Sequence, residues 1–475
     1  MGNNIEIKRT GEYEWRIPRI GNMKVDAIIY ASEKLIKDMQ KDITLQQIKN
    51  VAMLSGIQKY AIALPDAHQG YGFPIGGVAA FDINEGIISP GGVGYDINCS
   101  VRLLKTDISI KEFLKYRHKI LETIFRNVPS GVGRGGRTRI TKDELKDVLE
   151  KGAKWAVDQG YGKEGDWKKT EENGCMGDAK ADEVSEKAIQ RGLPQLGSLG
   201  AGNHFLEIQQ VDKIYNEKIA RAFGISYEGQ ITIMVHCGSR GLGHQVASDY
   251  IRLMEKEYGF KHLPDRELIN APIQSKLGER YYRAMCAAAN FAFANKQMIT
   301  HWLRESFNGV ISCKIDVIYD VCHNIAKIEK HEVDGELKKV CVHRKGATRS
   351  FGPGREEIPE MYREIGQPVI IPGSMGTASY LLVGTKKAEQ ISFGSTAHGA
   401  GRVKSRAAAL REFRGNEVRS ELAKKDIEII STSWKSIAEE APQVYKDIDE
   451  VVRVSHGVGI GNLVARFIPV SVMKG

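Results

Sequence analysis

No stretch of this 475-residue chain is a long unbroken apolar run, and no CxxC pair occurs. The longest uncharged segment, residues 365–385, is interrupted by Pro368, Pro372, Gly373 and Gly376. It reads as strand–loop–strand and is too broken for a membrane span. The N-terminal MGNNIEIKR has no apolar leader core, and Glu6 sits where a myristoylation signal requires Ser or Thr. Seven scattered cysteines make an odd, unpatterned set, which argues against a disulfide framework and for a reducing compartment. The expectation is a cytoplasmic protein with no membrane partner. GxxxxGK[ST] and HExxH are absent, which removes support for a P-loop or a zincin helix. K-x-[DN]-G is missing as well, and with it the lysine nucleophile of ordinary nucleotide-activating ligases.

Glycine is plentiful: 50 residues, above the usual share of about 7%, and clustered in particular loops. Lys+Arg 68 against Asp+Glu 59 gives a net charge of +9, a modest excess that favours a polyanionic partner. Length alone suggests about three domains. Yet no repeat or linker is evident, and the chemically suggestive residues run from position 66 to 474. One integrated α+β domain over 1–475, folded around a single cleft, is the better expectation. A helical, charged section with a basic loop is expected at about 107–195.

In chain order, EYEWRIP and KVDAIIYA read as strands. Leu35, Met39, Ile43, Ile48 and Met53 have helical spacing. A buried-type strand then runs into Pro65-Asp66, from which Asp66 and His68 emerge together; an Asp after Pro is also an ordinary turn initiator. GIISPGGVGYDINCSVRLLKT reads as two strands joined by a glycine loop bearing Asp96 and Cys99. A carboxylate and a thiolate three residues apart can share a cation, and a thiolate can bridge two. In SGVGRGGRTR, the glycines at 131, 133 and 136 match G-x-G-x-x-G but lack the preceding strand of a dinucleotide site. Arg134, Arg137 and Arg139 there are equally readable as a phosphate-backbone contact or a solvated loop.

Asn203, His204 and Glu207 stand at the start of a strand, His236 ends an apolar strand before Gly238-Ser239-Arg240, and His323 follows another apolar run. With Asp96 and Cys99, the three histidines make five ligands, enough for two metals sharing the thiolate. His118, His262, His301 and His331 read as surface. KKVCVHRKGATRSFGPGR, with Arg344, Lys345, Arg349 and Phe351, is either a solvated face or a contact for a nucleic-acid backbone. Ser374, Gly376 and Ser379 lie in a small-residue loop of the kind that approaches nucleotides closely. An apolar strand-like run precedes Lys474 and is expected to tie it down.

Residues 391–406, ISFGSTAHGAGRVKSR, carry the chemistry. A strand, a glycine turn and a helix start are expected to set free N–H groups and a positive dipole end beside His398. There an imidazole can attack phosphorus. A capping or surface role is the alternative for a lone histidine.

PDAHQGYGFPIGG, GGVGYDINC, GAGNHFLEI, GSRGLGHQ, HRKGATR, PGSMGTASY and HGAGR together resemble the RtcB family of RNA-splicing ligases over essentially the whole chain. The resemblance implies large mixed β-sheets with peripheral helices around one deep metal and nucleotide cleft. It implies a GTP- and Mn²⁺-dependent ligase joining RNA 2′,3′-cyclic phosphate or 3′-phosphate ends to 5′-hydroxyl ends, as in sealing tRNA halves. His398 would be guanylylated, with Asp66 orienting it. Asp96, Cys99 and His204 would hold one Mn²⁺; Cys99, His236 and His323 would hold the second. Asn203 would contact phosphate, and Glu207, Ser379, Tyr445 and Lys474 the guanine. Ser374, Ala400 and Gly401 would line the site, while Arg240 and Arg402 meet phosphate. RNA repair and an archease activator also fall within what the resemblance implies. Cys237 and Ser100 depart from the family pattern, which has Ser or Thr and Gly there; Cys237 raises the prospect of altered metal preference. Ligand softness alone points to zinc. The competing readings are a dinuclear-metal phosphodiesterase with His398 as general acid, and a non-catalytic RNA-binding protein with structural metals.

Overall fold

Small and β-branched apolar residues in IQKYAIALPDAH favour extended chain, and they form the strand Ile57–His68. In the computed structural model, which describes residues 5–131 and 135–475, this strand centres a seven-stranded sheet. On one side of it lie Asp26–Tyr30, Glu14–Ile17 and Lys8–Arg9; on the other lie Ile75–Asp82, Glu336–Lys345 and Asn324–Val333. Its pairing with Asp26–Tyr30 is parallel. The crossover that such pairing requires is supplied by two helices, Glu33–Met39 and Thr44–Val51, where helical spacing was expected. The strand runs on through Pro65 because the register with Ile75–Asp82 shifts between Ala63 and His68, so the missing proline N–H costs no ladder bond.

The second sheet has eight strands. Ile315–Cys322, Ser100–Ser109, Gln230–Cys237, Phe205–Ile214, Asn462–Lys474, Ser379–Val383 and Pro368–Ile371 follow in antiparallel order. Glu428–Ser431 adds in parallel to Asn462–Lys474. All eight residues of QITIMVHC (Gln230–Cys237) are buried, as expected for a strand covered on both faces. The fold is thus mixed α/β with large sheets and outlying helices, as the motifs implied. One helix departs from the periphery. Lys276–Asn308 is 33 residues long, capped by Ser275, and buried along most of its length. Residues 107–195 are mainly helical, as expected. Arg134 lies outside the described residues; Arg137 stacks on Trp302 at 4.4 Å and pairs with Glu305.

The buried helix carries polar side chains that anchor the loops around it, consistent with buried polar groups being bonded. Asn295 Oδ1 accepts the N–H groups of Gly197 and Ser198, and its amide donates to Ser198 O and Gly238 O. Arg102 is fully buried and donates to Asp320 (2.9 Å), Gln297 (2.8 Å), Thr300 and Thr170. It ties two strands of the sheet to this helix, just behind Cys99 and His323. Arg102→Ala leaves the buried Asp320 with Lys296 alone, 3.7 Å away and not hydrogen-bonded, and is expected to cost about 3 kcal/mol. Urea unfolding should show this as a lower midpoint at unchanged slope.

Candidate active site

Four of the five proposed metal ligands sit at or beside strand ends of the second sheet, and Asp96 joins them from the loop just before Cys99. His236 closes Gln230–Cys237, His204 precedes Phe205–Ile214, Cys99 precedes Ser100–Ser109, and His323 sits between Ile315–Cys322 and Asn324–Val333. Cys99 is fixed by its own backbone: its N–H reaches Asp96 O at 2.9 Å, and its O accepts from His323 N at 3.0 Å. Neighbouring Asn98 takes a left-handed φ of 51° and donates its side chain to Ala289 O. Cys99 Sγ lies 3.1 Å from His236 Nε2 and 3.6 Å from His204 Nε2. His236 and His323 face each other through Nε2 at 3.2 Å, and His204 Nε2 is 2.8 Å from Asp96 Oδ2. These make two candidate metal triads, Cys99–His236–His323 and Asp96–Cys99–His204, with the sulfur common to both.

The residues fit metal ions on their own chemistry. Asp96 Oδ1 is buried with no partner, and two imidazole nitrogens converge on one thiol. His204 Nδ1 donates to Leu199 O at 3.1 Å, which leaves Nε2 as the lone-pair nitrogen. Burial holds His236 and His323 well below the usual imidazole range, hence neutral and able to coordinate. Burial, with Asp96 adding, drives the Cys99 thiol up, which a bound cation would reverse.

His398 stands beside the triads, its ring centroid 4.9 Å from that of His323. Its Nδ1 is 2.6 Å from Asp66 Oδ2, and that oxygen also accepts His398 N at 3.0 Å and Gly399 N at 3.3 Å. Burial acts to raise the Asp66 pKa, but the His398 ring and these donors prevail and hold it below the usual carboxylate value. The expectation of free N–H groups and a helix start beside His398 is therefore corrected. Those N–H groups are spent on Asp66, and the next helix, Arg406–Glu412, begins eight positions on. The apolar ISF run is also not a strand: Ile391 and Ser392 end the helix Lys386–Ser392, and the strand is Ser395–Ala397. Gly401, at φ +74°, is required because a Cβ there would come within 2.2 Å of Asp66 O.

A cavity of about 780 Å³ opens beside His398. Of the nucleotide-site residues expected from sequence, Asn203, Ser374, Ala400, Gly401, Arg402, Tyr445 and Lys474 line it. Glu207 and Ser379 do not; they lie one layer deeper, joined through Gln209 Nε2 at 2.7 and 3.1 Å. Burial lifts the Glu207 carboxyl to about 7, with the Gln209 bond opposing. Lys474 is buried at the end of its strand, donating to Gly202 O (2.9 Å) and His204 O. Glu440, missed in the sequence because no motif marks it, gathers Arg402, the Tyr445 hydroxyl and Lys474. His68 and Arg406 also line the cavity.

A second, larger cleft of about 1720 Å³ adjoins the first and shares Asn203 and Arg406 with it. Asp96, His204, Arg191, Arg240 and His244 line it. Arg240 holds a left-handed φ of 56°, and its Nε is buried without a partner. Gly200 permits the close approach, since a Cβ there would meet Arg240 Nη1 at 1.8 Å.

Three expected phosphate contacts are corrected. Arg344 is fully buried, bidentate to Glu329 (2.7 and 2.8 Å), and bonded to Phe393 O and Ser395 Oγ. Arg349 is buried on Glu172 and Gln367. Lys345 is spent on Tyr71 O and Phe73 O, its pKa lowered to about 7 by burial. Phe351 is buried among arginines, Arg355 lying 4.0 Å over its ring. Their acidic partners lie from 15 to 178 residues away in sequence, so charge density alone could not reveal them. The set braces the site instead: Arg344 grips the strand leading to His398, and Glu171 accepts Cys322 N beside His323. His331 is buried against Glu329 and is not a surface residue. Cys237 points away from both triads, toward Leu199 O (3.1 Å), and burial lifts its thiol to about 11.

The geometry sets two clusters able to hold metal ions against a carboxylate-braced histidine. The family model described as tRNA-splicing ligase RtcB matches residues 47–475. The chain is 56% identical over its full length to the full-length tRNA-splicing ligase RtcB of Thermococcus kodakarensis. It is 52% identical, with 99% of each chain covered, to the enzyme of that name from Archaeoglobus fulgidus. With that of Nanoarchaeum equitans it shares 53% identity over 99% of this chain and 100% of the other. This chain belongs to the RtcB family of ligases.

If the sulfur serves both triads, Cys99→Ala is expected to weaken divalent metal at both, and His323→Ala at one. The drop should be roughly 100-fold or more, beyond the loss of an outer-shell partner. Calorimetric titration with Mn²⁺ and with Zn²⁺ checks this; full stoichiometry in Cys99→Ala would contradict the shared ligand.

Proposed function

We propose that the protein joins an RNA 2′,3′-cyclic phosphate or 3′-phosphate end to a 5′-hydroxyl end, using GTP and Mn²⁺, through a guanylate carried on His398. Sealing tRNA halves, and RNA repair by the same chemistry, are the intended uses. The whole of 1–475 works as one catalytic unit in the cytoplasm. Seven free cysteines suit a reducing compartment, and among the described residues no helix is long and apolar enough to cross a membrane.

The observation that carries the reading is the 2.6 Å contact between His398 Nδ1 and Asp66 Oδ2, beside a cavity lined by His398 and by His236 of one triad. Asp66 holds the proton on Nδ1 and leaves the Nε2 lone pair free. Nε2 forms a bond to the α-phosphorus of GTP as the bond to pyrophosphate breaks. Asp66 then stabilises the cationic adduct. Bound at the two triads, Mn²⁺ would supply charge neutralisation at the phosphoryl oxygens. The RNA 3′-phosphate next displaces His398 and takes the guanylate, so that GMP leaves when the 5′-hydroxyl attacks. A cyclic phosphate is first opened by water at the same place. Phe205 lines the cavity and Glu207 follows two residues on, facing the same way along the strand. Glu207, with Ser379, Tyr445 and Lys474, takes the guanine edge, and Asn203 with Arg240 and Arg402 takes phosphate.

Incubation with α-labelled GTP and Mn²⁺ is expected to label the protein, acid-labile and alkali-stable, and His398→Ala should abolish the label. A dinuclear phosphodiesterase would give none, and a non-catalytic RNA-binding protein would leave RNA ends unaltered. Asp66→Asn should slow labelling by roughly 10³–10⁴-fold, the cost of misorienting an imidazole.

A carboxylate at Glu207 is what guanine N–H donors need. Because its pKa is raised to about 7, GTP affinity should strengthen as pH rises from 6 to 8 and level off above. Glu207→Gln should flatten that profile, read as the GTP concentration for half-maximal labelling.

A further inference from the structure

Two exposed aromatic rings lie next to His244, a residue that lines the larger cleft. Tyr71 is 61% exposed and Tyr95 37%, both high for such residues. Their centroids are 5.9 Å apart and the rings meet edge to face. Tyr95 also stacks on His244 at 5.8 Å and 23°, and His244 lines the cleft. The three rings thus make a continuous strip from solvent to a wall that carries Asp96 and His204.

The strip is held rigid although it is exposed. Gln47 clamps Gly70 through both its N–H (3.0 Å) and its O (2.7 Å). The buried Lys345 ammonium ties Tyr71 O and Phe73 O, and Glu267 accepts Gly72 N at 2.8 Å. Tyr95 immediately precedes Asp96, whose position the metal triad requires. Arg191, Arg240, Arg406 and Lys435 line the adjoining cleft together with Asp96 and Glu439, so its basic side chains outnumber the acidic ones, while Glu267 and Glu255 stand within electrostatic reach of Tyr95. Rigid aromatic faces next to a basic groove are how proteins hold single-stranded nucleic acid, each base stacking on a ring while phosphates meet the cations.

Resting on the RNA-joining role above, we infer that Tyr71, Tyr95 and His244 form a stacking platform for the base of the nucleotide adjoining the reacting RNA end. Either end, the 3′-phosphate or the 5′-hydroxyl, offers the same base chemistry, and the experiment separates them.

Fluorescence anisotropy would compare wild type with Tyr71→Ala, Tyr71→Phe, Tyr95→Ala and Tyr95→Phe, metal-loaded. The probes are short RNAs ending in a 3′-phosphate or a 5′-hydroxyl, each with its terminal nucleotide intact or abasic. Tyr71→Ala is expected to bind one of the two intact ends roughly 10- to 100-fold more weakly, and Tyr71→Phe to restore binding. Wild type should lose the same factor on the abasic form of that end, and Tyr71→Ala should lose nothing further. The end that responds is the one seated on the platform. Unchanged affinity of both alanine variants for both ends overturns the inference, as does an alanine loss that adds in full to the abasic loss. Should Tyr95→Ala fail to take up metal, Tyr71→Ala, the more exposed of the two, decides. A wild-type protein that binds these RNAs without joining them sinks the ligase reading, and the binding comparison still judges the platform.

Discussion

A single sulfur atom has to stand within coordinating distance of four other side chains, and much of the surrounding structure is spent on keeping it there. Cys99 Sγ is the one atom common to both triads, so a shift of a few tenths of an ångström would spoil both at once. Its backbone is locked to Asp96 on one side and to His323 on the other. The strands that carry the opposing histidines are neighbours in one sheet, with Val101 paired to His236 and His236 paired to Phe205. A sheet of eight strands is a stiff support for this purpose, and ligands at strand ends inherit its precision.

Buried ion pairs on both sheets and on the long helix surround the site. Arg102 with Asp320, Arg344 with Glu329, Lys327 with Glu171, and Arg304 with Asp166 are all removed from water. Pairs of this kind contribute little net stability against apolar packing. Their value here is positional, since each connects separate segments of chain at a defined angle. Arg344 is the clearest instance, bonded at once to Glu329 and to the strand that delivers His398.

What could be read from the sequence was the local part. Histidines and a cysteine at the ends of apolar runs marked residues that the fold brings together as candidate ligands, and helical spacing gave the two helices of the parallel crossover. The apolar run before Lys474 foretold its tethering. The failures share one cause, which is that a charged side chain does not announce its partner. Arg344, Lys345 and Arg349 look like a basic ribbon in KKVCVHRKGATR, and only the fold brings Glu329, Glu171 and Glu172 against the arginines and two backbone carbonyls against Lys345. His331 was misread for the same reason, because alternation in a strand does not say which face is covered. Glu440 belongs to no motif, and His244, although inside GSRGLGHQ, shows its place in the cleft only when distant segments meet. Asp66 was found, but its capture of two backbone N–H groups was not, since that depends on a loop more than 300 residues later.

The two cavities share Asn203 and Arg406 in their linings, and His236 faces the smaller while Asp96 and His204 face the larger. The metal-ligand cluster is therefore reached from both. A guest in the smaller chamber would leave the larger open, so neither has to depart before the other arrives. A small molecule wedged into the smaller chamber would compete for that chamber alone and leave the larger cleft open.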